Sequence, residues 1–177
     1  MQVNMKIRKR ILTMLCCNFI FLGCQKQNLT SGNLIDKTDI YAPKQILSNE
    51  IIYFYVDFYH NHCVTQNNTH KFTFEITVNN QNQLIAYEKN ANIQYEADET
   101  LLTNLQNIIL EQKLIEKNGI YRIRSGLDPK YQKCELHVTY STNEKLDFTL
   151  NNDPYAIWTE QIYTVFKEWF LAKGMIL

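Results

Sequence analysis

Apolar positions recur along the chain with two periods, and the switches between them mark the elements. Ile51–His60 (IIYFYVDFYH) is β-branched or aromatic at nearly every position. That predicts a strand with Ile52, Phe54, Val56 and Phe58 on one face and Tyr53, Tyr55, Asp57 and Tyr59 on the other. Lys71–Val78 alternates cleanly, Asn79-Asn80-Gln81-Asn82 reads as a turn, and Gln83–Glu88 returns as a strand, with a short one at Asn92–Tyr95. From Asp98 the period becomes helical. Asp98 suits an N-cap, Glu99 favours the positive end of the helix dipole, and Leu101, Leu102, Leu105, Ile108 and Ile109 form one stripe. Asn118-Gly119 stops the helical region, and Ile120–Arg124, Gln132–Tyr140 and Lys145–Leu150 read as further strands.

The last element is predicted as a helix with Asp153 at its N-cap and Pro154 at its first position. Trp158, Ile162, Val165, Phe166, Trp169 and Phe170 follow at helical spacing, and Gly174 closes it. That stripe is expected in the core, with Thr159, Lys167 and Lys173 on the solvated side. Strands, helix, strands, helix, joined by short turns, predict an α+β fold with a single antiparallel sheet and both helices packed on one face. Lys71–Asn90 also aligns without gaps on Lys133–Asn152, matching Lys71 with Lys133 and Thr77 with Thr139, which raises a strands-helix pseudo-repeat as an expectation.

The N-terminus follows neither period. A basic head with Lys6, Arg8, Lys9 and Arg10 leads into an apolar run from Ile11 to Gly23, too short for the ~20 residues of a spanning helix. Polarity changes at once after Cys24. Phe21-Leu22-Gly23-Cys24 resembles the lipobox of bacterial lipoproteins, with Phe21 where that motif usually carries Leu or another aliphatic residue. The resemblance covers residues 5 to 24. It implies cleavage before Cys24 and a diacylglycerol on its thiol. The domains expected are a signal peptide over 1–23, a flexible tether over 24–49, rich in Gln, Asn, Ser, Thr and Lys, and an α+β domain over 50–177. Beyond this address the body resembles small uncharacterised bacterial lipoproteins in general terms only.

Charge then narrows the partners. The chain balances 18 basic against 18 acidic residues. Four of the basic ones sit in the N-terminal head, so the body is mildly acidic and carries no basic cluster. No nucleic-acid partner is expected. Nineteen asparagines against five glycines read as coding bias before chemistry.

Catalytic motifs are missing: no nucleophile elbow, zinc-protease helix, Cys pair at ligand spacing or phosphate loop. No enzyme activity and no cofactor is expected. His60-Asn61-His62-Cys63, with His70 at the far end of the same loop, is the densest cluster of metal-binding types, but no second pair stands at ligand spacing. Cys63 and Cys134 are the cysteines left in the body. Separate thiols and a disulfide are both open, and the alternation of Cys134 with Leu136, Val138 and Tyr140 favours a buried thiol. The face with Tyr53, Tyr55 and Tyr59 is a candidate contact surface for a protein, peptide or glycan, with Thr73, Glu75, Thr77, Glu135, His137 and Thr139 as neighbours. Ordinary cross-strand pairing is the competing account of those tyrosines.

The expected protein is therefore a lipoprotein anchored to the cell membrane through Cys24, facing the extracytoplasmic side, whose body is a non-enzymatic binding domain. The alternatives are an inhibitor or immunity-type lipoprotein acting on a secreted enzyme, or a metal or small-ligand carrier using the His60–His70 loop.

Overall fold

The computed structural model describes residues 32–60 and 70–175. The signal and lipidation readings, including Cys24, and the loop residues His62 and Cys63 lie outside the described residues. Among the described residues, eight strands, two α-helices and two 3-10 turns follow in order. They are β1 (Leu34–Asp36), β2 (Ile51–His60), β3 (His70–Val78), β4 (Leu84–Glu88), β5 (Ile93–Glu96), α1 (Glu99–Glu111), a turn at Leu114–Lys117, β6 (Tyr121–Arg124), a turn at Pro129–Tyr131, β7 (Lys133–Tyr140), β8 (Lys145–Asn151) and α2 (Ile157–Ala172).

All eight strands join one sheet in the order β1-β6-β8-β7-β2-β3-β4-β5. The fold is α+β, but the sheet is mixed, because β6 and β8 pair in parallel. The chain reverses from β6 into β7 and again into β8, and β8 then inserts between the two. Two reversals leave it parallel to β6, which adjacent-strand reasoning cannot foresee.

The expected pseudo-repeat is not carried into the strand order of the sheet. β2 to β5 form a meander, whereas β6, β7 and β8 are interleaved. Both hairpins close alike: Asn79 N–H donates to Gln83 O and Asn82 N–H to Asn79 O, as Tyr140 N–H does to Glu144 O and Asn143 N–H to Tyr140 O. Asn82 thus matches Asn143, one place off the pairing of Thr77 with Thr139. The strands themselves keep the expected offset: Ile76 and Val138 both lie opposite Phe54, and Phe74 and Leu136 both opposite Val56, on the buried face.

The core lies between one face of the sheet and both helices. Phe54, Phe58, Phe74, Leu136, Val138 and Tyr140 point into it, beside Leu101, Leu105 and Ile109 of α1 and Ile162, Phe166 and Phe170 of α2. Phe74 stacks on Phe166 with centroids 4.3 Å apart, and the Tyr140 hydroxyl donates to Gln106 Oε1 on α1 at 3.1 Å. Burying each such aromatic contributes roughly 1.5–3 kcal/mol. Ile51 takes the core place expected for Ile52. The β2–β7 register shifts between Ile51 and Tyr53, a bulge that changes which residue faces in.

α1 starts where expected. Asp98 Oδ1 accepts from Leu101 N–H at 3.0 Å, and its other oxygen accepts from Trp169 Nε1–H at 2.8 Å and Lys173 Nζ at 3.0 Å. One carboxylate therefore caps one helix and fastens the other. Burial raises its pKa, but these donors outweigh it and hold the pKa below the usual aspartate value. α2 starts later than expected. Its N-cap is Ala156, and Asp153 instead accepts from Tyr155 N–H in the turn before it. Thr159, expected in solvent, is buried and donates to Ala156 O.

The stretch expected as a tether includes β1, and more of it is tied down beyond that strand. Asp39 N–H donates to Gly119 O, Asn118 Nδ2 donates to Pro43 O, and Leu47 and Ser48 N–H donate to the Glu144 carboxylate. Gly119 sits at φ +80, and a Cβ there would lie 2.3 Å from Ala42 Cβ and 2.5 Å from Asp39 O. Only glycine fits on both counts.

Candidate functional site

Alternation places a second set of side chains on the face opposite the helices. β2 contributes Tyr53, Tyr55, Asp57 and Tyr59. The ladders bring Glu75 and His137 opposite Tyr55, Thr73 and Glu135 opposite Asp57, Thr139 opposite Tyr53 and Lys71 opposite Tyr59. Asp147 joins opposite His137, and Tyr87 opposite Glu75. Of the neighbours expected from the sequence, Thr73, Glu75, Glu135, His137 and Thr139 are brought opposite β2, Thr77 lies beyond that ladder and pairs with Ile85 of β4, and Asp147 and Tyr87 are added. No described helix covers this face, and Tyr53, Tyr55 and Tyr59 are each partly exposed.

Charges here are paired across strands. Asp57, 2% exposed, holds Lys71 Nζ at 2.8 Å and the Thr73 hydroxyl at 2.9 Å. That hydrogen bond raises the Lys71 pKa, with burial working against it. Lys89 pairs with Glu75, and Lys133 with Glu135 at 2.8 Å. His137 bridges two acids, with Nδ1 3.1 Å from Asp147 Oδ1 and Nε2 3.5 Å from Glu135 Oε2, while its ring lies 5.7 Å from that of Tyr55. The Asp147 hydrogen bond lifts its pKa above the ordinary imidazole value, and partial burial opposes this.

Burial, then the carboxylates of Asp57 and Glu135, push the Tyr55 phenol up to about 12, and burial with Glu75 raises Tyr53. Both are protonated at neutral pH. They are hydrogen-bond donors on flat aromatic bodies, not bases or nucleophiles. The two phenols offer no acid-base step at neutral pH. Tyr53, Tyr55 and Tyr59 line none of the clefts of about 270 to 400 Å³, although Lys71 reaches the edge of one.

The other candidates are placed differently. His60 and His70 face each other across β2 and β3. The His60 ring turns to the helix side, where it is 3% exposed, pairs with Glu160 at 2.5 Å and stacks on Tyr163 at 5.0 Å. Among the described residues no group of three or more His, Cys, Asp or Glu is arranged to hold a metal. Cys134 is a buried free thiol whose pKa is raised by burial. In the α2 stripe Ile162, Phe166, Trp169 and Phe170 are buried, and Trp158 and Val165 are partly so.

Sequence reasoning passed over the asparagines. Asn118, 4% exposed, donates to Pro43 O and Lys145 O and accepts from Asp147 N–H. Asn151 exchanges two hydrogen bonds with the Arg124 backbone, and Asn152 exchanges two with that of Tyr59. Each supplies a donor and an acceptor where the ladder lacks a backbone partner. Their sequence signals are Asn118-Gly119, which marks only a helix stop, and the Asn151-Asn152 pair before the last helix.

Among the described residues no helix is long and apolar enough to cross a membrane. No protein-family model, curated protein or solved structure matches the chain.

Proposed function

We propose that this chain is an extracytoplasmic lipoprotein, held to the membrane by a lipid on Cys24, whose domain is a non-enzymatic binding module. Its partner is engaged on the sheet face that carries Tyr53, Tyr55 and Tyr59. The observation that carries this reading is that face itself: broad, uncovered by any described helix, and built of tyrosines among paired charges. A sheet face whose tyrosines line none of the clefts suits a protein or an extended polymer better than a small molecule. The basic head, short apolar run and Gly23-Cys24 support the anchor.

Two measurements test it. Labelled fatty acid is expected to enter the parent chain and not Cys24→Ala, and equal labelling of both removes the anchor. Cross-linking in the native envelope is expected to trap one discrete partner on the parent protein and lose it in Tyr53→Ala/Tyr55→Ala. Retention of that partner by a folded double variant removes the surface.

A further inference from the structure

Gln106 is a polar residue that the apolar stripe of α1 does not explain. It sits beside Leu105, Ile108 and Ile109 and is only 7% exposed. The Tyr140 hydroxyl donates to its Oε1 at 3.1 Å. Burial pushes the Tyr140 phenol up to about 12, so it is a donor at neutral pH and claims the oxygen end of the amide. The nitrogen end, Nε2, has no hydrogen-bond partner among the described residues. Gln106 instead lines a cleft of about 340 Å³ on the helix side of the sheet. An amide donor held in so buried a place without a partner costs stability, and a ligand in that cleft accounts for it.

Two elements build the cleft. Glu99, Leu102, Gln106 and Leu110 fall at i, i+3, i+7 and i+11, on one face of α1. The other wall, Asn49 to Ile51, is the end of the strap that runs from β1 to β2. That wall is fixed: Ser48 N–H donates to the Glu144 carboxylate and Ser141 N–H to Glu50 O. Glu50 and Glu99 are both exposed, and no Lys, Arg or His lines the cleft beside them. Ile51, Leu102 and Leu110 give it an apolar side.

These groups select a chemistry. Two carboxylates without a lining base attract an amine and repel a carboxylate. The Gln106 nitrogen needs an oxygen acceptor and cannot ligate a metal ion, which argues against a calcium site despite the acids. The apolar side suits an aliphatic branch. Amine, carbonyl oxygen and aliphatic branch occur together in an α-amino amide, either a free molecule or the first residue of a peptide.

We infer that this cleft binds an α-amino amide, with its carbonyl oxygen on Gln106 Nε2 and its ammonium at Glu50 and Glu99. The site needs neither the lipid on Cys24 nor the tyrosine face. The test uses the full-length chain with isotope-labelled glutamine side chains, and leucinamide as the probe. The Gln106 amide resonance is identified by its loss in Gln106→Leu, and leucinamide is expected to displace it saturably. N-Acetylleucinamide, which lacks the charge, and leucine, which adds a carboxylate, are expected to bind at least about tenfold more weakly. Calorimetry is expected to show a similar loss in Glu50→Gln/Glu99→Gln, whose two positions are exposed and leave the core untouched. Leucyl-glycyl-glycinamide separates the sources: affinity equal to that of leucinamide names a peptide amino end, and much weaker binding names a free molecule. The inference is overturned by absence of saturable displacement, by equal binding of N-acetylleucinamide, or by unaltered affinity in the double variant. Calcium chloride displacing the Gln106 resonance in leucinamide's place overturns it also.

Discussion

Asn118→Ala tests how firmly the strap is joined to the body. The side chain is buried and makes three hydrogen bonds, to Pro43 O at 2.8 Å, to Lys145 O at 3.0 Å and from Asp147 N–H at 2.8 Å. Each is worth about 1 kcal/mol net, and stranding the Asp147 N–H adds a desolvation cost of about 1 kcal/mol or more. The expected loss is about 3–4 kcal/mol, a large share of the roughly 5–15 kcal/mol that holds a domain together. In a domain of this size that lowers the melting temperature by about 10 °C. Denaturant unfolding followed by circular dichroism measures the global loss. Brief trypsin digestion reports the local one, because a released strap opens Lys37 and Lys44 to cleavage before the body unfolds. Asn118→Asp keeps the acceptor for Asp147 but sets an oxygen against two carbonyls, so it is expected to be no better than Ala at neutral pH. A change in stability below about 0.5 kcal/mol, with an unaltered digestion pattern, would refute the reasoning.

Three further outcomes follow from the same geometry. Trp169→Ala removes a nearly buried ring and the donor to Asp98, and is expected to cost about 3–5 kcal/mol in thermal unfolding; Trp169→Phe keeps most of the ring, so a loss equal to that of Ala would sink this account. His137 has a raised pKa in the folded state, so its pairing contributes fully below about pH 6.5 and is lost as pH rises through the folded value. Stability of the parent relative to His137→Asn is therefore expected to fall across that window, and parallel pH profiles would remove the bridge to Asp147 and Glu135. Asn143 sits at φ 66, so Asn143→Ala is expected to cost about 1 kcal/mol while Asn143→Gly costs nothing measurable; equal melting of the two would contradict the turn argument.

Much of the sheet was legible because its signals are local. Alternation in β3, in β7 and in β2 beyond its bulge placed both faces and brought Tyr55, Glu75 and His137 together. Asp98 announced α1 through its side chain and the stripe behind it. What escaped depends on partners remote in sequence. β1 is three residues long, and all of them are exposed, so no pattern of burial marks it. Its pairing depends on β6. The parallel ladder between β6 and β8 arises from insertion, which no property of either strand encodes. The start of α2 was misplaced because Asp-Pro is a good helix opening, whereas here Asp153 closes a turn and Asn151 and Asn152 are committed to the backbones of Arg124 and Tyr59. Counting asparagine as composition hid its use, both in those bridges and at the left-handed positions Asn82, Asn92 and Asn143, where an asparagine side chain tolerates what most residues do not.

The place of β1 also sets an order of assembly. It leaves the ribosome before anything it will pair with. Asp36 and Arg122 are 86 residues apart, and the Asn118 clamp on Pro43 spans 75. The meander of β2 to β5 can form from neighbouring sequence, but the first strand must wait for almost the last third of the chain. It is therefore among the late elements to dock, since a long loop must close before its contacts form. A nascent or truncated product ending before Tyr121 carries Leu34 and Ile35 on an unmatched strand, with Ile40 and Tyr41 just beyond it. That is a ready template for wrong pairing between chains, and a segment a holding chaperone would be expected to cover until β6 is made.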